Sequence, residues 1–553
     1  MKKILILFIF WHFSMSGQYQ AAHWFFGQHA GLDFTNGFPV SETGGMIDSE
    51  EGISSISNAC GDLQFYTDGI TLWNANHAVM PLGTGLKGDD SSTQSAIIIP
   101  AISQDNIYYV FTADDGFSAP SLDGINYTVV DMSLDNGLGN VAPGQKNISL
   151  INHASEKITA VSTPDGTAVW VVFFAPETTD TSAPYNTTGY NFNTFYAFKI
   201  TASGILYTAT ISHFPNLHIT NGIGYMKLSP NGQKIAIANS LDNSAYIFDF
   251  NTVTGEITNP VSLPLTSISE HPYGLEFSPD SSKLYISDWY NTLTQFDLNN
   301  NYNATIISTN ANYRAALQLG LDGKIYRPYT TDYGSTQTEL SVINNPNEAG
   351  MACDYQHRSI NLGSGLIVHQ GLPNFMASYF NSGNIGSITH NQQFTQYEIT
   401  ANEPFNSVDW DFGDGTTLTT YPDNPPDNTH TSANHTYAST GVYNISAVLH
   451  YTSGCDVPIH YEINTAPNGI KDTIWNNIHI YPNPANHLVN INLHGIENAQ
   501  ITIMDLSGKA IYHTFVGRAA DSYQINVSNL SGIYFLKISN EQTQKTFKLI
   551  VKH

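Results

Sequence analysis

One pattern recurs six times between residues 53 and 329, and it limits what the chain can fold into. An apolar segment runs into a turn built on Asp or Asn, and a second segment rich in Tyr, Val and Ile follows. The clearest copies are YMKLSPNGQKIAIAN, beginning at Tyr225, and LEFSPDSSKLYISDW, beginning at Leu275; weaker copies begin at Ile53, Ile98, Thr159 and Leu317. The turn residues Asp62, Asp105, Asp165, Asn231, Asp280 and Asp322 lie 42 to 66 positions apart. Asp/Asn-Gly supplies the positive-φ positions of a two-residue hairpin turn, and the flanking β-branched and aromatic residues suit packed strands. Such spacing leaves room for four strands per unit, which predicts a β-propeller over residues 18–380. The segments His23–Phe34 and Gly371–Phe380 read as partial units. Pairing them would make a seventh blade closed by both ends of the repeat, which removes exposed sheet edges. Seven blades are therefore expected, within a range of six to eight.

The rest of the chain is also all-β in pattern. After Asn381 a short linker rich in Gly, Ser and Asn leads into a module at 386–464. There Val408, Trp410 and Phe412 alternate with Asp409 and Asp411, and Tyr443, Ile445, Ala447 and Leu449 repeat the alternation, as a small β-sandwich requires. Residues 465–476 form a second linker. The block 477–553 again alternates, at Val489/Ile491/Leu493, Ile501/Ile503, Tyr534/Leu536/Ile538 and Phe547/Leu549/Val551, with Gly508 and Gly532 at turns. No long helix is expected anywhere.

The balance of charge narrows the function. There are 20 Lys and Arg against 46 Asp and Glu, a net charge of -26. A field of that sign repels phosphate backbones and anionic headgroups, so nucleic acid and peripheral membrane are poor partners, while calcium is a suitable one. At the start, Lys2 and Lys3 precede the apolar run Ile4–Phe13 and the small residues Ser14, Ser16 and Gly17, the pattern of a signal peptide over 1–17. No cysteine follows it for a lipid anchor, and no stretch is long enough for a transmembrane helix. The three cysteines, Cys60, Cys353 and Cys455, are widely spaced and read as free thiols, buried or partly buried. A Cys60–Cys353 bridge is disfavoured, because different blades should hold the two beyond the ~7 Å limit between bridged Cα atoms.

Three resemblances follow from these motifs. YPNPANHLVNINL (Tyr481–Leu493), IMDLSGKAIY (Ile503–Tyr512) and LSGIYFLKISNEQTQKTFKLIVKH (Leu530–His553) resemble the type A C-terminal sorting domain of the type IX secretion system. That resemblance implies a small sandwich read by the export machinery, with Tyr481, Pro482, Asn483, Pro484, Gly508, Gly532, Tyr534 and Lys548 as its motif residues. WDFGDG (Trp410–Gly415) and HTYASTGVYNISAVL (His435–Leu449) resemble a PKD domain, which implies spacing or binding at a cell surface. The N-terminal region, through Glu51–Pro81, Ser92–Pro100 and Gly371–Phe380, looks like the YVTN/WD-like propeller that precedes PKD modules in secreted Bacteroidetes-type proteins. The Gly-His…Trp-Asp spacing of WD40 repeats is absent.

Candidate chemistry is sparse. There is no HExxH, no GxSxG and no Gly-rich phosphate loop. Ser162–Trp170 is only a faint match to a sialidase Asp-box, and the propeller holds just three arginines, Arg314, Arg327 and Arg358, for binding a substrate carboxylate. Asp409, Asp411 and Asp414 are weak calcium candidates, read first as turn-forming and solvated aspartates. His153, His218, His271 and His369, with Glu156 and Glu270, should fall on one rim of the channel, where imidazole and carboxylate would suit a transition metal; unrelated rim positions are the simpler reading. Phe65, Tyr66, Trp73, Tyr108, Tyr109, Trp170, Tyr285 and Trp289 read mostly as blade packing, with some free to stack on sugars. The leading expectation is a non-catalytic protein, secreted or on the outer-membrane surface, that uses the propeller to bind a glycan or protein. It needs no cofactor and meets the type IX machinery on export. The alternative is a secreted hydrolase or lyase with its active site in the propeller channel.

Overall fold

The computed structural model describes residues 19–115, 123–177, 191–265, 271–381, 387–391, 393–401, 404–452, 454–465, 480–493, 499–505, 509–516, 522–539 and 544–552. The signal segment, Glu270, Gly508 and nearly all of the second linker lie outside them. Two compact units result: residues 1–436 with 444–462, and residues 437–443 with 463–553.

The first unit holds seven antiparallel sheets in chain order. Sheet 1 has three strands, His23–Phe26, Ala30–Asp33 and Val40–Ser41. Sheets 2 to 7 begin at Ser54, Ala96, Ile158, Met226, Leu275 and Gln318. Five of these have four strands and sheet 3 has a fifth, Ile148–Ile151. First strands of successive sheets pack side by side, from Ser54–Ser57 round to Gln318–Leu319. They are buried throughout or nearly so, whereas the last strands, such as Val79–Thr84 and Tyr355–Asn361, are largely exposed. This gradient is what radial packing of a β-propeller demands. Each inner strand is covered on both faces and each outer strand on one.

The recurring turn has a common build. Asp165 Oδ1 accepts from Thr163 Oγ1 and the Thr167 amide, Asn231 Oδ1 from Ser229 Oγ and the Gln233 amide, and Asp280 Oδ1 from Ser278 Oγ and the Ser282 amide. The ladder closes at Thr163–Ala168 and Ser229–Lys234, so the loop has four residues rather than the two expected. Positive φ falls on the residue after the Asp or Asn, at Gly166, Gly232 and Gly323.

The ring closes between sheets 1 and 7, but not by the expected pairing of His23–Phe34 with Gly371–Phe380 in one blade, because all three strands of sheet 1 come from the N-terminal side. Gln28 and Ile367 exchange backbone hydrogen bonds, and Trp24 of sheet 1 packs edge-on to Tyr326 of sheet 7. Gly371–Phe380, however, forms no regular strand. Its backbone bridges the inner strands of sheets 7 and 2, with the Ala316 amide bonded to Gln370 O and the Asn374 amide to Ile53 O. The Asn374 side chain donates to the carbonyls of Ala96 and Ile158, on sheets 3 and 4. The propeller axis is thus occupied by the chain itself.

A two-sheet sandwich follows. Ser387–His390, Gln396–Thr400 and His430–Asn434 form one sheet; Thr417–Thr420, Phe405–Asp411, Val442–Tyr451 and Asp456–Asn464 form the other. Val408, Trp410 and Phe412 are buried and Asp409 and Asp411 exposed, as the alternation required. The cysteines correct the sequence reading: Cys60, in the first turn of sheet 2, is disulfide-bonded to Cys455 of the sandwich, with Cα atoms 4.9 Å apart. Only Cys353 is a free, buried thiol. A separation of 395 residues carries no local signal, so the pairing was invisible before the modules were placed together. Tyr19 adds a hydrogen bond to the Pro458 carbonyl at 2.9 Å.

In the second unit, Ile480–Tyr481, Leu488–Asn492 and Ser522–Asn526 form one sheet, and Ala510–Val516, Ala499–Met504, Gly532–Ser539 and Gln544–Val551 the other. Val489, Ile491, Ile501, Ile503, Leu536 and Leu549 make its core.

Candidate ligand-binding cleft

Charged groups converge at the propeller axis. Arg314 Nη2 lies 2.5 Å from Glu51 Oε1, Tyr273 OH donates to Glu51 Oε2 at 2.8 Å, and Arg314 Nε donates to Gln370 Oε1. Nearby, Glu156 accepts from the Thr93 hydroxyl and amide, and Lys157 donates to the carbonyls of Gly222 and Gly224. Burial, then the charge of Glu51, pushes Glu156 up to about 8; burial draws Lys157 down to about 7. Burial also raises Glu51. These groups are withdrawn from solvent, and each has protein partners. They form a sealed polar core of the kind a low-dielectric interior tolerates only when paired.

A cavity of about 280 Å³ opens between sheets 6 and 7. Its walls are three connecting segments. Asp288 Oδ1 accepts from the amides of Tyr290, Asn291 and Thr292, and this tight turn presents Trp289 and Tyr290. The segment Ala311–Tyr313 forms the second wall and Tyr329–Thr331 the third. Backbone bonds from Asn312 to Tyr290 O, Tyr313 to Thr330 O and Arg314 to Trp289 O tie the three together, so the cleft is preformed. Trp289, Tyr290, Tyr313 and Tyr329 supply aromatic surface, and Asn291, Asn312, Thr330 and Thr331 neutral polar groups. The Arg314 guanidinium lies 5.1 Å from the Trp289 ring, and that of Arg358 4.4 Å from the Tyr329 ring, both within cation–π range. Trp289 Nε1 and Asn312 Oδ1 are buried without a hydrogen-bond partner among the described residues.

Most residues singled out in the sequence do not come together. His153 is buried, His218 is exposed, His271 bonds Ser240 O through Nδ1, and His369 sits 3.1 Å from Ser49 O; no metal set forms from them among the described residues. Asp409, Asp411 and Asp414 likewise fail to converge. Asp409 is held by Thr419 and His450, Asp411 by the Gly413 amide, and Asp414 by His435 and Thr416. Cross-strand partners and turn amides send the three carboxylates to separate places. Asp89, Asp114 and Asp115 do bring carboxylate oxygens within 4.8 Å, a hard-donor set suited to calcium, and burial pushes Asp114 up to about 6. Of the aromatic residues, Trp289 lines the cleft. Tyr66 and Trp73 stack within sheet 2, and Phe65 and Tyr108 pack sheet 2 on sheet 3. The signal for the cleft was the Asp-Trp-Tyr turn at 288–290, of which only Trp289 stood out in the sequence, among eight aromatics read mostly as blade packing with some free to stack on sugars.

In the C-terminal unit, Asn483 donates to Lys548 O at 2.7 Å and accepts from the Ile550 amide at 2.8 Å. Its flanking residues Pro482 and Pro484 end the first strand, and the Ala485 amide bonds Ile550 O. Gly532 opens a strand at φ +118°, Tyr534 OH bonds Ser531 O, and the Lys548 side chain is exposed.

No curated protein matches the chain. Among solved structures, it is similar to hydrazine synthase of Kuenenia stuttgartiensis, at 8% identity over 75% of this chain and 99% of that one, with a TM-score of 0.34. It is also similar to the periplasmic gluconolactonase of Pseudomonas aeruginosa, at 12% identity over 76% and 99%, TM-score 0.31. Streptogramin B lyase matches at 12% identity over 69% and 95%, TM-score 0.31. Likenesses at this level carry nothing about activity. The family described as the secretion system C-terminal sorting domain matches residues 479–552, the block in which Asn483 pins its Pro-flanked segment to the final strand. That block is a type IX sorting domain, and the chain bears an export address.

Proposed function

We propose that the protein is a secreted, surface-displayed binding protein. The propeller recognises a ligand at the cleft between sheets 6 and 7, and the sandwich acts as a PKD-type spacer held to it by Cys60–Cys455. The C-terminal domain hands the chain to the type IX machinery after the signal peptide has taken it across the inner membrane. The contrast between a self-filled axis and an open aromatic cleft carries this reading: the perturbed carboxyls are where no polymer can reach, and the reachable groups are stacking and hydrogen-bonding ones. Fractionation of cells expressing the chain with and without residues 477–553 tests the export part. Equal surface and medium levels of the two forms would defeat it.

One observation favours the rival, a hydrolase or lyase working at the axis: Glu156 holds its proton to about pH 8 beside Glu51, a pairing suited to acid–base work. Polymer turnover by the purified protein, abolished by Glu156→Gln, would establish that rival in place of the binding reading.

A further inference from the structure

Residues 18–380 contain three arginines, Arg314, Arg327 and Arg358, separated by as many as 44 positions in sequence. Two of them stand against aromatic walls of the cleft between sheets 6 and 7. Arg314 lies against Trp289 and, at 5.9 Å, Tyr313, while Arg358 covers Tyr329. Arg327 lies on the strand Ile325–Pro328, two positions before Tyr329; burial, then the charge of Arg327, lowers the pKa of His357, whose ring meets Tyr329 edge-on. Two of the arginines are answered by carboxylates, Glu51 and Glu339. Arg327 is not: it is 1% exposed, and none of its three guanidinium nitrogens has a hydrogen-bond partner among the described residues. The cavity itself is lined by no carboxylate, although acidic residues outnumber basic ones 46 to 20 in the chain.

We infer that this cleft takes a carboxylated sugar, its ring stacked on the tyrosines and its carboxylate drawn by the arginine cluster. This rests on the reading that the cleft is the ligand site and names the ligand's class. Flat aromatic faces flanked by neutral amides and hydroxyls fit a ring that is apolar on its faces and hydroxylated at its rim. The volume lies near the lower end of the ~300–1,000 Å³ usual for ligand pockets, enough for one or two sugar residues. Guanidinium groups, with their forked donors, are the side chains best matched to a carboxylate. Elsewhere on so acidic a chain an anionic sugar is repelled; the walls of this cavity hold no carboxylate.

The test is calorimetric titration of the full-length mature chain with trigalacturonate and sialyllactose, against galactotriose, lactose and an acidic peptide. A carboxylated sugar is expected to bind at least tenfold more tightly than its neutral counterpart, and the peptide not at all. Tyr290→Ala, at an exposed position, should remove most of that binding with an unchanged melting temperature. Arg358→Gln, also exposed, should erode the preference for the acidic sugar several-fold while sparing the neutral one. Equal binding of neutral and acidic sugars, or binding of the peptide alone, lost in Tyr290→Ala, would overturn the inference and leave the cleft as a ligand site. Absence of saturable binding by every probe would overturn both.

Discussion

At the propeller axis, Glu51, Arg314, Tyr273 and Gln370 close on one another, whereas in the neighbouring cleft Trp289 and Asn312 leave a donor and an acceptor unused. Arg314 belongs to both places. Its nitrogens serve the axis and the face of its guanidinium serves the cleft. The difference teaches where to look for recognition in a propeller. Buried charge that the fold has paired is structural, and polar groups left unpaired beside an open, preformed cavity are the ones a ligand can use.

The largest way to break this contrast is to force the axis open. A side chain at Gly371 would place its Cβ 1.5 Å from the Glu51 carbonyl oxygen, so Gly371→Val is expected to cost more than ~4 kcal/mol and yield little folded protein. Thermal unfolding of whatever soluble material forms checks this; a melting temperature within about 2 °C of the parent would mean the axis is not tightly filled. Next comes Glu51→Gln, which strands the Arg314 guanidinium. A loss of about 3–5 kcal/mol in chemical denaturation is expected, and a loss below ~1 kcal/mol would mean that the pair does not hold the axis.

The disulfide extends the comparison beyond the propeller. Cys60→Ser with Cys455→Ser should cost about 2–4 kcal/mol and expose the chain between propeller and sandwich to limited proteolysis, both reproduced by reducing agent on the parent chain. Identical cleavage patterns would show that the bridge constrains nothing. The smallest effect sharpens the account of Glu156. Its folded pKa, near 8, stands above its ordinary value of 4.5, so its contribution is full below pH 4.5 and is lost as pH rises through 8. Lys157, drawn from 10.5 to about 7, works in the opposite sense, its contribution present above 10.5 and lost as pH falls through 7. Glu156→Gln should therefore flatten the fall in melting temperature between pH 4.5 and 8 and leave the rise towards pH 10.5 intact. Parallel curves for parent and variant would refute the burial of an uncharged carboxyl there.

Much of the fold was legible beforehand, and for local reasons. The Ser-Pro-Asp turn announces itself because Asp280 reaches only to Ser278 and Ser282. Trp410 and Asp409 point opposite ways because a strand alternates with period two. The sorting block was readable for the same reason, its motif being a short segment clipped by Asn483 to the last strand. The functional residues were far less legible. Trp289 looked like one blade-packing aromatic among eight, and the three arginines counted only as too few for a sialidase.

By itself the sequence determined the class of fold, the order of the modules, the export address and the acidity of the chain, since each rests on patterns a few residues long or on composition. Only tertiary structure decided that Cys60 meets Cys455, that Gln370 and Asn374 fill the axis, and that Arg314 and Arg358 flank one cleft. Those meetings join residues from 44 to 395 positions apart, across sheets and modules that only the folded chain sets side by side. No local preference encodes such an arrangement; it follows from the mutual burial of sheets whose inner strands have nowhere else to hide their two apolar faces.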